Sequence, residues 1–379
     1  MANSTPLEEL TRLGQSVWLD YIRRGILDNG ELERMIRERS LRGVTSNPAI
    51  FEQAIARSDD YDDELALLAA EGAEALEVYE TLAVADIQRA ADLFLGIYEE
   101  SGGTDGFVSL EVSPELAHDT EGTLSEARRL WAQVTRPNVM IKVPGTDEGL
   151  PVIEQLIAEG VNVNITLLFS LQGYEKVMEA YLTGLERRLE AGQPLEHVAS
   201  VASFFVSRVD GAVDALLDAK ADVADGAEAE RIRSLRGRAA IANAKLAYAR
   251  FQEVFGSGRF AKLREHGAPL QRPLWANTST KNPEYRDVVY VEELIGPDTV
   301  NTMPLATVEA FADHGVARRS VDEDVDGARN VIARLGELGI DFDEVTRKLQ
   351  VEGVEKFVDP FRDLLARVDE KLTEVAARG

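Results

Sequence analysis

Eight short apolar runs, most of them separated by helical pattern, set the tightest limit on what this chain can fold into. They occupy residues 16–20, 43–48, 106–112, 139–144, 161–169, 197–206, 273–279 and 299–304. Most are continuously apolar, not alternating, as strands must be when helices cover both faces of a parallel sheet. Eight β units with helices between them fit a closed (β/α)8 TIM-type barrel better than an open doubly wound sheet, the alternative the pattern leaves. The two spacings longer than fifty residues, after the second and sixth runs, predict helical insertions at about 52–100 and 211–265. A helix start is expected at Pro114. From Thr307 onward the pattern is amphipathic, which predicts a helical C-terminal extension over about 307–379, broken at Gly336, Gly339 and Pro360. Length alone, at roughly 150 residues per domain, would allow two or three domains. No Pro/Gly/Ser linker and no repeat divides the chain, so residues 1–379 read as a single barrel domain.

Charge and rare residues narrow the function. The chain has 41 Lys+Arg against 67 Asp+Glu, a formal net charge of −26. A surface that acidic repels phosphate backbones and anionic lipid, which argues against nucleic acid or membrane as partners. Cysteine is absent, so disulfides, thiolate metal sites and thiol nucleophiles are excluded. The four histidines, His118, His197, His266 and His314, stand at no metal-ligand spacing, and no metal is expected. Residues 1–16 are polar and no stretch of about 18 apolar residues occurs. A reducing, cytoplasmic location is expected. Residues 256–261 spell a dinucleotide fingerprint, but it follows a helical pattern instead of a strand, and no cofactor is expected.

In a barrel, chemistry sits at the C-terminal ends of the strands. There, or partway along, the runs carry Asp20, Thr45, Asn47, Glu111, Lys142, Asn164, Thr166, Ser203 and Arg208. Each alone has a plain structural explanation: a helix cap for Asp20, a turn at Asn47-Pro48, strand filling by Thr166, a satisfied hydroxyl on Ser203. Together they amount to six strands delivering polar groups toward one end. Lys142 is the most informative of only nine lysines, because Val139, Met140, Ile141 and Val143 flank it. Burial among such neighbours favours the neutral form of an amine, and a neutral amine attacks carbonyls to form an imine. The competing explanation is a stem that snorkels to solvent. If Lys142 forms an iminium with a ketose, Asp20 and Glu111 are the carboxylates available for proton transfer, and Thr166 could hold the water. The protonated imine is itself the electron sink, so this chemistry needs no metal.

At these residues the chain resembles the transaldolase family. Residues 43–48 (GVTSNP) and 138–149 (NVMIKVPGTDEG) are similar to its N-terminal signature and to the block around its imine-forming lysine, and 162–170 and 203–208 resemble two further blocks. The resemblance implies a barrel of the Schiff-base aldolase type. It also implies transfer of a dihydroxyacetone unit from sedoheptulose 7-phosphate or fructose 6-phosphate to an aldose phosphate, in the non-oxidative pentose phosphate pathway. It assigns Lys142 to the imine, Asp20 to acid–base work at the donor hydroxyls, Glu111 to a partner acting through water and Thr166 to positioning that water. Thr45, Asn47 and Asn164 resemble contacts to the dihydroxyacetone part, and Ser203 and Arg208 resemble phosphate ligands. A second phosphate ligand of some members aligns with Lys245, through the shared Tyr248. The residues after Asp20, Tyr21-Ile22, depart from the small polar residue and Gly of many members. Two other readings stay open: an aldolase that releases free dihydroxyacetone, and a non-catalytic barrel that binds sugar phosphates. The C-terminal helices could pack on the barrel or on a second copy, which leaves monomer and homodimer both open.

Overall fold

The computed structural model describes residues 4–376. Residues 1–3 of the polar N-terminal stretch and 377–379 of the expected extension lie outside the described residues. The eight runs form eight parallel strands: β1 (Gln15–Asp20), β2 (Leu41–Thr45), β3 (Phe107–Glu111), β4 (Val139–Pro144), β5 (Val163–Leu168), β6 (Ser200–Phe205), β7 (Gln271–Ala276) and β8 (Thr299–Met303). They are hydrogen-bonded in sequence order, and β1 pairs with β8 from Gln15↔Thr299 to Leu19↔Met303, so the sheet closes into the expected (β/α)8 barrel. Closure leaves no sheet edge unpaired. β3, β4, β5, β6 and β8 are buried at every residue, which is why their sequences do not alternate. No helix among the described residues is long and apolar enough to cross a membrane.

The helices depart from expectation at identifiable residues. Pro114 opens only a 3-10 turn, Pro114–Leu116; the helix proper is Thr120–Val134, started by Asp119, whose carboxylate accepts from Gly122 N at 3.0 Å. The cap wins because it satisfies an otherwise orphaned N–H. Helical structure after β6 begins at Ser207, not residue 211, and is divided into Ser207–Ala221, Gly226–Arg233, Ala239–Phe255 and Gly258–Glu265. Gly336 lies inside helix Val325–Glu337, and the chain breaks only afterwards, where Gly339 takes φ +70°. Pro360 does not break the last helix, Phe342–Ala376. A proline inside a helix costs about 3 kcal/mol or more. Here Val354, Phe357, Phe361, Leu364 and Val368 repeat at alternating steps of three and four and are all buried. At about 1.5–3 kcal/mol for each large apolar side chain, that stripe outweighs the proline. It lays the helix across the barrel, against helices Pro48–Phe51, Asp62–Glu71, Ala75–Glu100 and Ser207–Ala221.

A buried charge cluster fixes the insertion between β2 and β3 close behind β1. Four residues after Asp20, Arg24 donates through Nε to Asp86 at 2.9 Å and pairs with Glu64, while Tyr61 donates to the other Asp86 oxygen at 2.7 Å. Asp86 is fully buried, and its carboxyl is held above the usual range chiefly by that burial, against the pull of Arg24. Removing one partner strands the other. Asp86→Ala should therefore lower stability by about 3–5 kcal/mol, read from the urea midpoint; a loss under 1 kcal/mol would show that the cluster does not hold the insertion.

Candidate active site

Parallel register places the strand-end residues side by side. Asp20 neighbours Thr45 across β1 and β2, Glu111 neighbours Lys142 across β3 and β4, Lys142 neighbours Asn164, and Pro144 neighbours Thr166. Asp20, Thr45, Asn47, Lys142, Thr166, Ser203 and Arg208 line one cavity of about 130 Å³ at the C-terminal mouth of the barrel. It continues outward into a wider opening of about 510 Å³ that shares Asp20, Asn47 and Arg208.

Lys142 is 5 % exposed, so its stem does not reach bulk solvent. Its Nζ lies 3.2 Å from Glu111 Oε2 and donates to the Ser46 carbonyl at 3.2 Å. The Phe357 ring, from the last helix, lies 5.5 Å away. Glu111 does not line this cavity but pairs with the lysine from the neighbouring strand, and burial pushes its carboxyl upward while Lys142 pulls it back. Asp20 is raised for the same reason, against the pull of Lys142 and of Thr45, whose hydroxyl donates to it at 2.7 Å. Thr45 Oγ1 also lies 2.6 Å from Thr302 Oγ1. With Asp20 ionised, the protons run from Thr302 to Thr45 to Asp20. Two carboxyls held above their ordinary range beside a buried amine are placed to exchange protons with it.

The other candidates divide clearly. Thr166 is fully buried, and its Oγ1 has no hydrogen-bond partner among the described residues. Asn164 lies beneath the cavity in a polar belt, donating to Ser109 Oγ at 2.9 Å and accepting from Ser203 at 2.7 Å. Asn47 lines the cavity and also caps helix Pro48–Phe51 through Ile50 N. Arg208 stands at the junction of the cavity and its wider opening. Its Nε donates to Asn277 Oδ1 at 3.0 Å, and its Nη1 is buried with no partner among the described residues. Burial works against its charge. A guanidinium with donors to spare facing a polar cavity suits an anion.

Lys245 is not brought to this cavity. Its helix, Ala239–Phe255, runs along the outside of the barrel, where Lys245 Nζ is held 3.3 Å from Glu293 Oε2 and bonds the Glu323 carbonyl. The Tyr248 hydroxyl used for its alignment donates to Pro297 O, which ties that tyrosine to the start of β8. The lysine that does line the wider opening, with Arg208, is Lys281 on the loop after β7. Sequence reading also passed over Asn277, Thr302, Phe205, Lys356 and Phe357, all lining the inner cavity. Asn277 and Thr302 carried the same signal as the others, a polar residue at a strand end. Phe357 and Lys356 come from the last helix, and no local pattern announces their approach.

Fold and site together define a (β/α)8-barrel enzyme with a buried lysine between two strand-end carboxylates. The profile of the Transaldolase/Fructose-6-phosphate aldolase family matches residues 17–368. A transaldolase of Trichodesmium erythraeum is 45 % identical over 97 % of this chain and 98 % of its own length. Transaldolases of Mycolicibacterium smegmatis and Thermobifida fusca are each 48 % identical, over 96 % and 97 % of this chain and 97 % and 98 % of theirs. The chain belongs to the transaldolase/fructose-6-phosphate aldolase family. It is an enzyme, and its activity is transaldolase.

Arg208 owes its place to helix Ser207–Ala221, which a buried carboxylate docks. Asp210 accepts from Ala240 N at 2.8 Å and from the Tyr290 hydroxyl at 2.9 Å, and burial raises its carboxyl to about 6. Between the ordinary value of 3.8 and about 6, the folded state therefore holds a proton that the unfolded chain has released. Folding stability contributed by that proton is present below this window and is lost as pH rises through it, by about 3 kcal/mol at most. Asp210→Asn should flatten the pH dependence of the urea midpoint between pH 4 and 6.5 relative to the native chain; identical slopes would remove Asp210 from the account.

Proposed function

We propose that Lys142 is the imine-forming residue of this transaldolase and that the cavity around it carries out the transfer. The observation that carries this reading is the lysine's place: buried, 3.2 Å from Glu111, in one cavity with Asp20 and Arg208. The neutral amine adds to the ketone of fructose 6-phosphate or sedoheptulose 7-phosphate, water leaves, and an iminium forms. Asp20 takes the proton of the hydroxyl next to the bond that breaks. The C–C electron pair moves into the iminium, which becomes an enamine, and the aldose phosphate departs. The enamine then attacks the aldehyde of an acceptor aldose phosphate, Asp20 returns its proton to the new alkoxide, and water hydrolyses the imine. Glu111 moves the protons of that water, and Thr166, with a free buried hydroxyl, holds it. Thr45 and Asn47 face the dihydroxyacetone part as expected. Ser203, expected at the phosphate, is instead read as facing the dihydroxyacetone part because it lines the inner cavity, and Asn164, expected to touch that part, as fixing Ser203 from below. Arg208 holds the phosphate, with Lys281 toward the rim.

The residue span 1–379 is read as one barrel domain with helical decoration. The last helix covers its own barrel, which supports a site complete in one copy. The net charge of −26 and the lack of cysteine support a cytoplasmic enzyme whose partners are sugar phosphates.

Borohydride reduction in the presence of fructose 6-phosphate, followed by peptide mass mapping, should leave the dihydroxyacetone adduct on Lys142; an unmodified Lys142 would falsify the assignment. Lys142→Arg cannot form the imine, and it should abolish turnover while the protein stays folded. Donor consumption should depend on erythrose 4-phosphate. Equal consumption without it would assign simple cleavage instead. Arg208→Ala removes charge-assisted hydrogen bonds and should raise KM for phosphorylated donors by about 10- to 100-fold, with little change for dihydroxyacetone itself.

A further inference from the structure

The strand that carries Thr166 is irregular just beyond it. In β5 the register against β6 slips: Ile165 pairs with Ala202, but Leu168 pairs with Phe204, so three steps on β5 match two on β6. The extra residue is a bulge, and Leu167 within it takes φ +63°, the left-handed region that a bulky side chain seldom enters. Such a conformation costs on the order of 1–3 kcal/mol and persists only where surrounding contacts enforce it. The contacts here come from two places. Gly145 N, just past the end of β4, donates to Thr166 O at 2.7 Å. From the last helix, Gln350 Nε2 donates to Leu167 O at 3.2 Å and to Gly145 O at 3.0 Å. Gly353, one turn further along, lies against the Leu167 side chain so closely that an added Cβ would sit 3.0 Å from Leu167 Cδ2.

We infer that Gln350 is a positioning residue for the catalytic reaction. Its single amide group clamps the carbonyl after Thr166 to the carbonyl beyond Lys142's strand, and so sets the direction of the Thr166 hydroxyl relative to the Lys142 amine. The bulge gives Gln350 something to hold: in a regular strand the Leu167 carbonyl would be bonded within the sheet. Gln350 touches neither Lys142 nor the cavity that holds it, so it acts only through the backbone of Leu167 and Gly145. This inference rests on the reading of Thr166 as the residue that holds the hydrolytic water.

The test is a double-mutant cycle with single-turnover kinetics. Gln350→Met keeps length and bulk but donates no hydrogen bond. In the native background it should lower kcat about 10-fold or more and leave KM for fructose 6-phosphate within twofold, with the slowed step being hydrolysis of the imine, read as a larger fraction of enzyme that borohydride traps during turnover. In the Thr166→Ala background the same substitution should have almost no further effect, because the hydroxyl it positions is gone. Additive losses would mean that Gln350 acts on general stability, and would overturn the inference. A full loss in Thr166→Ala with no loss in Gln350→Met would overturn the clamp and leave the reading of Thr166 standing. No loss in Thr166→Ala would overturn both. Gly353→Ala offers a second approach should Gln350→Met fold poorly. It pushes on Leu167 while adding helix propensity, so it should reduce kcat without lowering Tm; unchanged kcat there would also overturn the inference.

Discussion

A lysine side chain in the interior of a barrel is tolerable only in company, and much of this site follows from that condition. An unpaired ammonium among apolar strands would be too costly to keep. Glu111 at 3.2 Å and Asp20 across the cavity supply opposite charge, the Ser46 carbonyl accepts a hydrogen bond, and the Phe357 ring covers the open side. The two carboxyls among these neighbours are also the groups that the proposed carbonyl addition would use for moving protons. Accommodating the buried lysine and serving the proposed reaction are thus met by overlapping residues. The polar belt of Ser109, Asn164 and Ser203 below them extends the logic one layer down, since buried polar atoms demand partners in turn.

The last helix has more to do than cover the barrel. Its apolar stripe carries it across Pro360 without a break, and its Phe357 and Lys356 reach the inner cavity while Gln350 reaches the end of β5. The mouth of the barrel is therefore built from segments far apart in the chain, and the helix that closes it is set by burial, not by local propensity. That is also why a proline, usually a stop, is tolerated there.

Much of the fold was legible in the sequence because both-face burial leaves a plain mark. Runs such as 139–144 and 197–206 are mostly apolar without a regular polar alternation, and eight of them admit few closed arrangements. Helix boundaries were less readable. At Pro114 and Pro360 a strong local signal lost to a better cap and to tertiary packing. Seven of the strand-end candidates line one cavity because parallel strands present equivalent positions at equivalent heights. Lys245 failed for the complementary reason: it lies on an outer helix, where the neighbour that matters, Glu293, is 48 residues away and invisible to any local pattern. Phe357, Lys356, Lys281 and Gln350 escaped notice because long-range contact, not residue type, is what brings them in.

The hydroxyl chain to Asp20 crosses the seam where the sheet closes: Thr302 belongs to β8, Thr45 to β2, and Asp20 to β1 between them. The proton environment of Asp20 is therefore assembled only when the first and last strands have met. During synthesis the two sides of that seam leave the ribosome nearly 300 residues apart. A chain caught with its sheet still open, when exposed edges make it most prone to stick to others, also lacks the completed hydroxyl chain to Asp20. The buried Lys142 amine is thus surrounded by its full set of polar neighbours only in molecules that have finished folding.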